Sequence, residues 1–180
     1  MPVVCVEPAV NALHSVVQTA GNDSLVFPHV DSCMTVTLFV PPDTLIGGHA
    51  GAYDHLPPHA AQPAVNLQAI VAAMQALVPG GRPITRVVFV GSDTGGGPAT
   101  NWNVPARIAA LRLATGNLNL PCPIVDTLFA GAVDVVFNNA TMKLRVQGYQ
   151  YEPGRGDLGV PAVRPALLEV PYHAIRDKQL

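Results

Sequence analysis

From Cys33 to Val40 the chain is written with a period of two. Val36, Leu38 and Val40 fall on one side of an extended backbone, and Cys33, Thr35 and Thr37 on the other. Pro41-Pro42-Asp43-Thr44 then supplies a turn, and Leu45-Ile46-Gly47-Gly48-His49 leads the chain back. A β-hairpin is the expected outcome. Antiparallel pairing sets the start of the first strand beside the end of the second, so Cys33 and His49 are brought together despite their separation in sequence. The alternation also assigns Cys33 to the more polar side of its strand.

A length of 180 residues with 49% hydrophobic side chains is enough to bury a substantial core within one domain. A net charge of −2 with ten basic residues argues against nucleic acid or an anionic membrane as the main partner. Protein or small-molecule partners are expected instead. No run approaches the roughly 20 apolar residues of a membrane span, and the amino terminus lacks a basic head followed by an apolar block. The expected location is the cytoplasm, or a destination reached by a signal-less export route. Cys5, Cys33 and Cys122 form an odd set without a CxxC pair, which suggests neither a disulfide framework nor a zinc ribbon.

Several further elements are readable. Residues 8–19 have a mixed apolar pattern compatible with a short helix around His14, and Gly21-Asn22-Asp23-Ser24 is a turn cluster ahead of a short strand at Leu25 to Phe27. Leu67, Ile70, Val71, Met74, Leu77 and Val78 follow a helical stripe closed by Pro79-Gly80-Gly81. Ile84 to Val90 reads as a strand running into the glycine-rich segment Gly91 to Pro98. Asn103 can cap a second helix with Pro105 in its first turn. Three strands follow, over Cys122 to Phe129, Ala132 to Phe137 and Met142 to Gln147. The last two join through Asn138-Asn139-Ala140-Thr141, with Met142, Leu144 and Val146 facing inward. The proline- and glycine-punctuated segment from Glu152 to Leu180 reads as extended chain that either wraps the domain or is partly mobile.

A thiol attacks a carbonyl carbon efficiently when its proton is removed, and imidazole is suited to that task near neutral pH. Cys33 and His49 can form such a pair. Spacing alone leaves a second reading open, in which Cys33 is an ordinary buried cysteine and His49 a loop residue. His55 and His59, in the irregular segment after His49, could combine with Cys33 and His49 as zinc ligands. Pro57 and Pro58 between them prevent a regular helical presentation. His14, His29 and His173 read as structural. The glycine-rich segment lacks the GK[ST] ending of a phosphate loop, and Trp102 reads as a core anchor or part of a recognition surface.

The order of these elements resembles the CheD family of chemoreceptor glutamine deamidases, which shares its catalytic fold with the cytotoxic necrotizing factor toxins. The resemblance lies in Ser32-Cys33 before a strand, Ile46-Gly47-Gly48-His49-Ala50 after a short turn, and the helix Asn66 to Val78. It continues through the strand into Gly91 to Gly97, the helix from Asn103, a strand near Ile124 to Asp126, and the hairpin Val135 to Val146. It covers residues 25–148. This chain departs from the family in the interval between the glycines and the histidine, in lacking the methionine of the glycine motif, and in carrying Phe27 where the family has a threonine.

The resemblance implies an α+β fold: a single domain with a mixed or antiparallel, sandwich-like β core flanked by two main helices. Residues 1–24 form an amino-terminal extension, 25–148 the deamidase-like domain, and 149–180 a carboxyl-terminal extension packing on it. The implied activity is hydrolysis of a glutamine or asparagine side-chain amide on a partner protein, without a cofactor or metal. Cys33 is then the nucleophile and His49 the base. Ser24, Asp93 or a main-chain carbonyl would orient the histidine, and the segments bearing Tyr53, His55, Thr94 and Trp102 would bind substrate. A non-catalytic protein-binding module and a zinc-dependent Cys/His hydrolase are the alternatives.

Overall fold

The hairpin forms the centre of one of two sheets. The computed structural model describes residues 3–5, 16–30, 33–50, 63–91, 120, 124–126, 133–148 and 166–175. Strands β4 (Met34–Val40) and β5 (Thr44–Ala50) pair antiparallel from Met34↔Ala50 at one end to Val40↔Thr44 at the other. Strand β2 (Val16–Gln18) joins the outer edge of β5. Strand β6 (Arg86–Gly91) pairs antiparallel with β4, and β7 (Ile124–Asp126) runs parallel to β6. This sheet therefore has the order β2-β5-β4-β6-β7.

The second sheet has the order β1-β3-β8-β9-β10. It contains β1 (Val3–Cys5), β3 (Ser24–Val30), β8 (Val133–Asn138), β9 (Lys143–Gly148) and β10 (Leu168–Pro171). Within this sheet β1 and β3 pair in parallel, and the other described neighbours pair antiparallel. Strands from residues 1–24 thus extend both sheets, and β10 extends the second, so both chain ends take part in the sandwich. A 3-10 turn, Tyr172–Ala174, follows β10. The architecture is α+β and mostly sheet.

Each strand of the hairpin sends alternate side chains into two different cores. Met34, Val36, Leu38, Val40 and Ile46 meet Leu67, Ile70, Val71 and Met74 of helix α1 (Pro63–Ala76). Those helix positions lie on one stripe, as residues three and four apart must. Close approach depends on Gly48, where a Cβ would stand 2.4 Å from Ile70 Cγ2 and 2.6 Å from Met74 Sδ. On the opposite face, Phe39, Leu45, Val88 and Val90 pack against Leu25, Phe27, Val135, Phe137, Leu144 and Val146 of the second sheet. Gly47 permits that contact, since a Cβ there would lie 2.9 Å from both Leu25 Cδ2 and Phe27 Cζ.

Several expectations from sequence are revised. Val16–Gln18, inside the segment compatible with a helix, is a strand because it pairs with Gly48, Gly47 and Ile46 of β5. Met142 does not face inward: it is 55% exposed, with a φ of 54°, and belongs to the turn, while Leu144 and Val146 are buried as expected. The strand foreseen over 122–129 is described at Ile124–Asp126. The second helix, from Asn103, lies outside the described residues. No helix among the described residues is long and apolar enough to cross a membrane.

Candidate functional site

The hairpin register decides what Cys33 and His49 can share. Thr35 stands directly opposite His49, and Met34 opposite Ala50. Cys33 precedes the first ladder pair by one residue, so continuing the alternation sets it on the face of Thr35 and His49. It is a diagonal neighbour of His49, a relation that separates Cα atoms by about 7–8 Å and leaves long and aromatic side chains within reach. Cys33 is half-buried, whereas His49 is 1% exposed. The nucleophile candidate thus lies at the rim and the imidazole behind it.

The side of β4 to which the alternation assigns Cys33 is the more polar one, with Thr35, Thr37 and, across the strand pair, His49. That side is not a solvent face, because the second sheet covers it. Thr35 and Thr37 are completely buried there. Thr35 Oγ1 donates to the carbonyl of Val90 at 3.1 Å, which commits its proton to β6. Thr37 Oγ1 is buried with no hydrogen-bond partner among the described residues. From the second sheet, Phe27 presents its ring to His49 edge to face, with centroids 6.1 Å apart and planes at 78°.

Both candidate substrate segments begin at this rim. Met34 pairs with Ala50 on one side and Gly91 on the other, so the chain beyond β5 and the chain beyond β6 leave the sheet level with Cys33. A Cβ at Gly91 would stand 2.9 Å from Met34 Sδ and 3.1 Å from the carbonyl oxygen of Cys33, so glycine lets β6 close against the start of β4. Asp93, Tyr53, His55, His59, Thr94 and Trp102 lie outside the described residues.

Ser24 is not brought to His49. Leu25 and Phe27 point into the inter-sheet core, so the period of two turns Ser24 to the opposite face of its sheet. It also pairs with Asn138, at the end of β8 that leads into the β8–β9 turn. Sequence reasoning did not single out Asp134, a carboxylate that is only 1% exposed. Asp134 shares the outward face of the second sheet, since Val133 and Val135 point inward, and therefore does not address His49 either.

A cleft of about 400 Å³ opens at the far end of the hairpin, among Pro41, Pro42, Thr85, Asn139, Met142 and Tyr172. The length of β4, roughly 20 Å at strand rise, separates it from Cys33. Its polar groups bond to one another: Tyr172 Oη donates to Asn139 Oδ1 at 3.4 Å, and Asn139 Nδ2 donates to the Asp43 carbonyl at 3.2 Å. Burial pushes the Tyr172 phenol up, which keeps it a proton donor. Among the described residues, neither cysteine nor histidine lines this cleft. Compared with known proteins, the chain matches no family model and no curated sequence.

Proposed function

We propose that the protein is a glutamine or asparagine deamidase acting on a partner protein through Cys33 and His49. One observation carries this reading. The register places a half-buried thiol diagonal to a buried imidazole, at the rim where the segments following β5 and β6 leave the sheet. The resemblance to CheD supports it independently, and the residue at that family's threonine position, Phe27, lies against His49 in space.

The chemistry follows from these two groups. His49 takes the Cys33 proton as the sulfur attacks the side-chain amide carbon, forming a C–S bond and a tetrahedral oxyanion. The backbone N–H of Cys33, or of a neighbour just before it, stabilises that oxyanion. The imidazolium then protonates the departing nitrogen, the C–N bond breaks, and ammonia leaves a thioester. Water attacks the thioester with His49 as base, the C–S bond breaks, and the protonated thiol and a carboxylic side chain result.

The test is mass spectrometry of candidate partner proteins incubated with the wild-type chain and with Cys33→Ser. Site-specific conversion of amide to acid by the wild type alone is the expected result, and equal conversion by Cys33→Ser removes Cys33 from the mechanism. A second reading, a non-catalytic binding module, is favoured by one observation: an apolar ring occupies the position of the family's third catalytic group. Ordinary alkylation behaviour at Cys33 would select it.

A further inference from the structure

We propose that Phe27 is a positioning residue for His49, setting the orientation of the imidazole relative to Cys33. This inference rests on the Cys33–His49 reading and goes beyond it by naming the group that holds the base in place.

Three observations carry it. Phe27 is completely buried and meets His49 edge to face, at 6.1 Å and 78°, so its ring restricts rotation of the imidazole from the side of the second sheet. Gly47 sits two residues before His49 on the same face of β5, and the tip of the Phe27 ring occupies the space that a side chain at 47 would fill. Phe27 is itself held by Phe137, again edge to face, at 6.2 Å and 74°. On the hairpin side, Thr35 stands directly opposite His49, and its hydroxyl proton is committed to Val90. The imidazole therefore occupies a slot between a ring from one sheet and a cross-strand threonine from its own.

A missing side chain thus acts as a structural instruction. Glycine at 47 admits the ring, and the ring lies against the base on the sheet face to which the alternation assigns Cys33. Aromatic edge contacts are worth on the order of 0.5–1.5 kcal/mol beyond burial, which corresponds to about a two- to tenfold change in the population of the held orientation.

The experiment uses the full chain and compares Phe27→Leu, Gly47→Ala and Val146→Ala with the wild type. The pH–rate profile of iodoacetamide alkylation at Cys33 and the χ1 scalar couplings of His49 in NMR spectra are the readouts. His49→Gln defines how much of the alkylation rate depends on the imidazole. Phe27→Leu and Gly47→Ala are expected to slow the His49-dependent alkylation about two- to tenfold and to change the His49 couplings. Val146→Ala, which loosens the same core from β9, two strands away from Phe27, is expected to leave the profile unchanged.

An unchanged profile in Phe27→Leu, with His49→Gln slow, overturns the positioning role and leaves the deamidase reading intact. If His49→Gln alkylates like the wild type, the Cys33–His49 pair fails. The NMR arm then decides alone, read in the χ1 scalar couplings of His49, because loss of the Phe27 ring current moves its shifts by itself: couplings that change in Phe27→Leu but not in Val146→Ala support positioning of the ring, and couplings that change in neither overturn it.

Discussion

The two faces of the β4–β5 hairpin are equally buried and differ in what they bury. Toward α1 the buried residues are Met34, Val36, Leu38, Val40, Ile46 and Ala50, all apolar, and the buried threonine on that side, Thr44, lies at the end far from Cys33, where its hydroxyl accepts from Arg82. Toward the second sheet, Thr35, Thr37 and His49 interrupt an otherwise apolar surface of Leu45, Val88 and Val90. Burying a polar group costs free energy unless its hydrogen bonds are recovered. A strand selected for packing alone would carry β-branched apolar residues at those positions. The helix face therefore supplies stability, and the inter-sheet face gives up some of it near Cys33 to hold a titratable side chain out of water.

The largest effect that separates these roles is on activity. Cys33→Ser exchanges one small half-buried side chain for another, so the denaturation midpoint should stay within about 0.5 kcal/mol of wild type. Deamidation should be abolished, as measured by conversion of a partner-protein amide. A large loss of stability in Cys33→Ser would show instead that the rim cysteine is a packing residue.

The paired glycines test the same division by stability. Alanine at 48 would drive a methyl into Ile70 and Met74, and alanine at 47 into Leu25 and Phe27. Overpacking of this kind costs about 1–3 kcal/mol, and urea unfolding should register it in both variants. Only Gly47→Ala should also slow alkylation of Cys33, because only that face leads to His49. Equal slowing in both variants would mean that chemistry is not confined to the inter-sheet face.

How much of this was legible in the sequence follows from what a period of two can encode. The alternation at Cys33 to Val40, the turn and the returning strand were sufficient to set Cys33 and His49 on one face, and the stripe at Leu67, Ile70, Val71 and Met74 was sufficient for α1. Periodicity tells which residues share a face but not what covers it. Thr35 and Thr37 mark this face as the more polar one, yet it is buried, and the core beside it is completed by Val135 and Phe137 from far along the chain. Ser24, one of the groups expected to orient His49, does not face it, because the alternation with Leu25 and Phe27 turns it to the outer face of its sheet. The contact between Phe27 and His49 joins two sheets, and no local pattern specifies that. Its only local trace is the absence of a side chain at Gly47.

A smaller effect compares the two buried threonines. Thr35 donates to Val90, whereas Thr37 Oγ1 finds no partner among the described residues. Replacing Thr35 by valine removes a hydrogen bond and leaves a buried carbonyl with one partner fewer, at a cost of about 1 kcal/mol. Replacing Thr37 by valine removes a desolvated hydroxyl instead, and is expected to be neutral or stabilising by up to about 1 kcal/mol. Urea midpoints of the two variants should therefore move in opposite directions, or Thr35→Val alone should move. Equal destabilisation would give Thr37 a bonded role that its surroundings do not suggest.

The smallest effect lies at the β9–β10 edge of the second sheet, where Lys143 and Glu169 are exposed and polarity carries little cost because water remains. Lys143 Nζ donates to Glu169 Oε1 at 2.6 Å, and Arg145 Nε stands 3.8 Å from Glu169 Oε2. The hydrogen bond from Lys143, then its charge, hold the Glu169 carboxyl below its ordinary value of 4.5, with Arg145 adding to the effect. A carboxylate whose folded pKa is depressed contributes stability that is present above its unfolded pKa and lost as the pH falls through the folded one. The melting temperature of the wild type should therefore decline as the pH drops below about 4.5, and Glu169→Gln should remove a shallow part of that decline. Salt should flatten the same component, because both partners are substantially exposed. A steep loss assigned to Glu169 would mean that this ladder is buried by other parts of the chain, and polar residues on the outer face would then carry the same cost as those around His49.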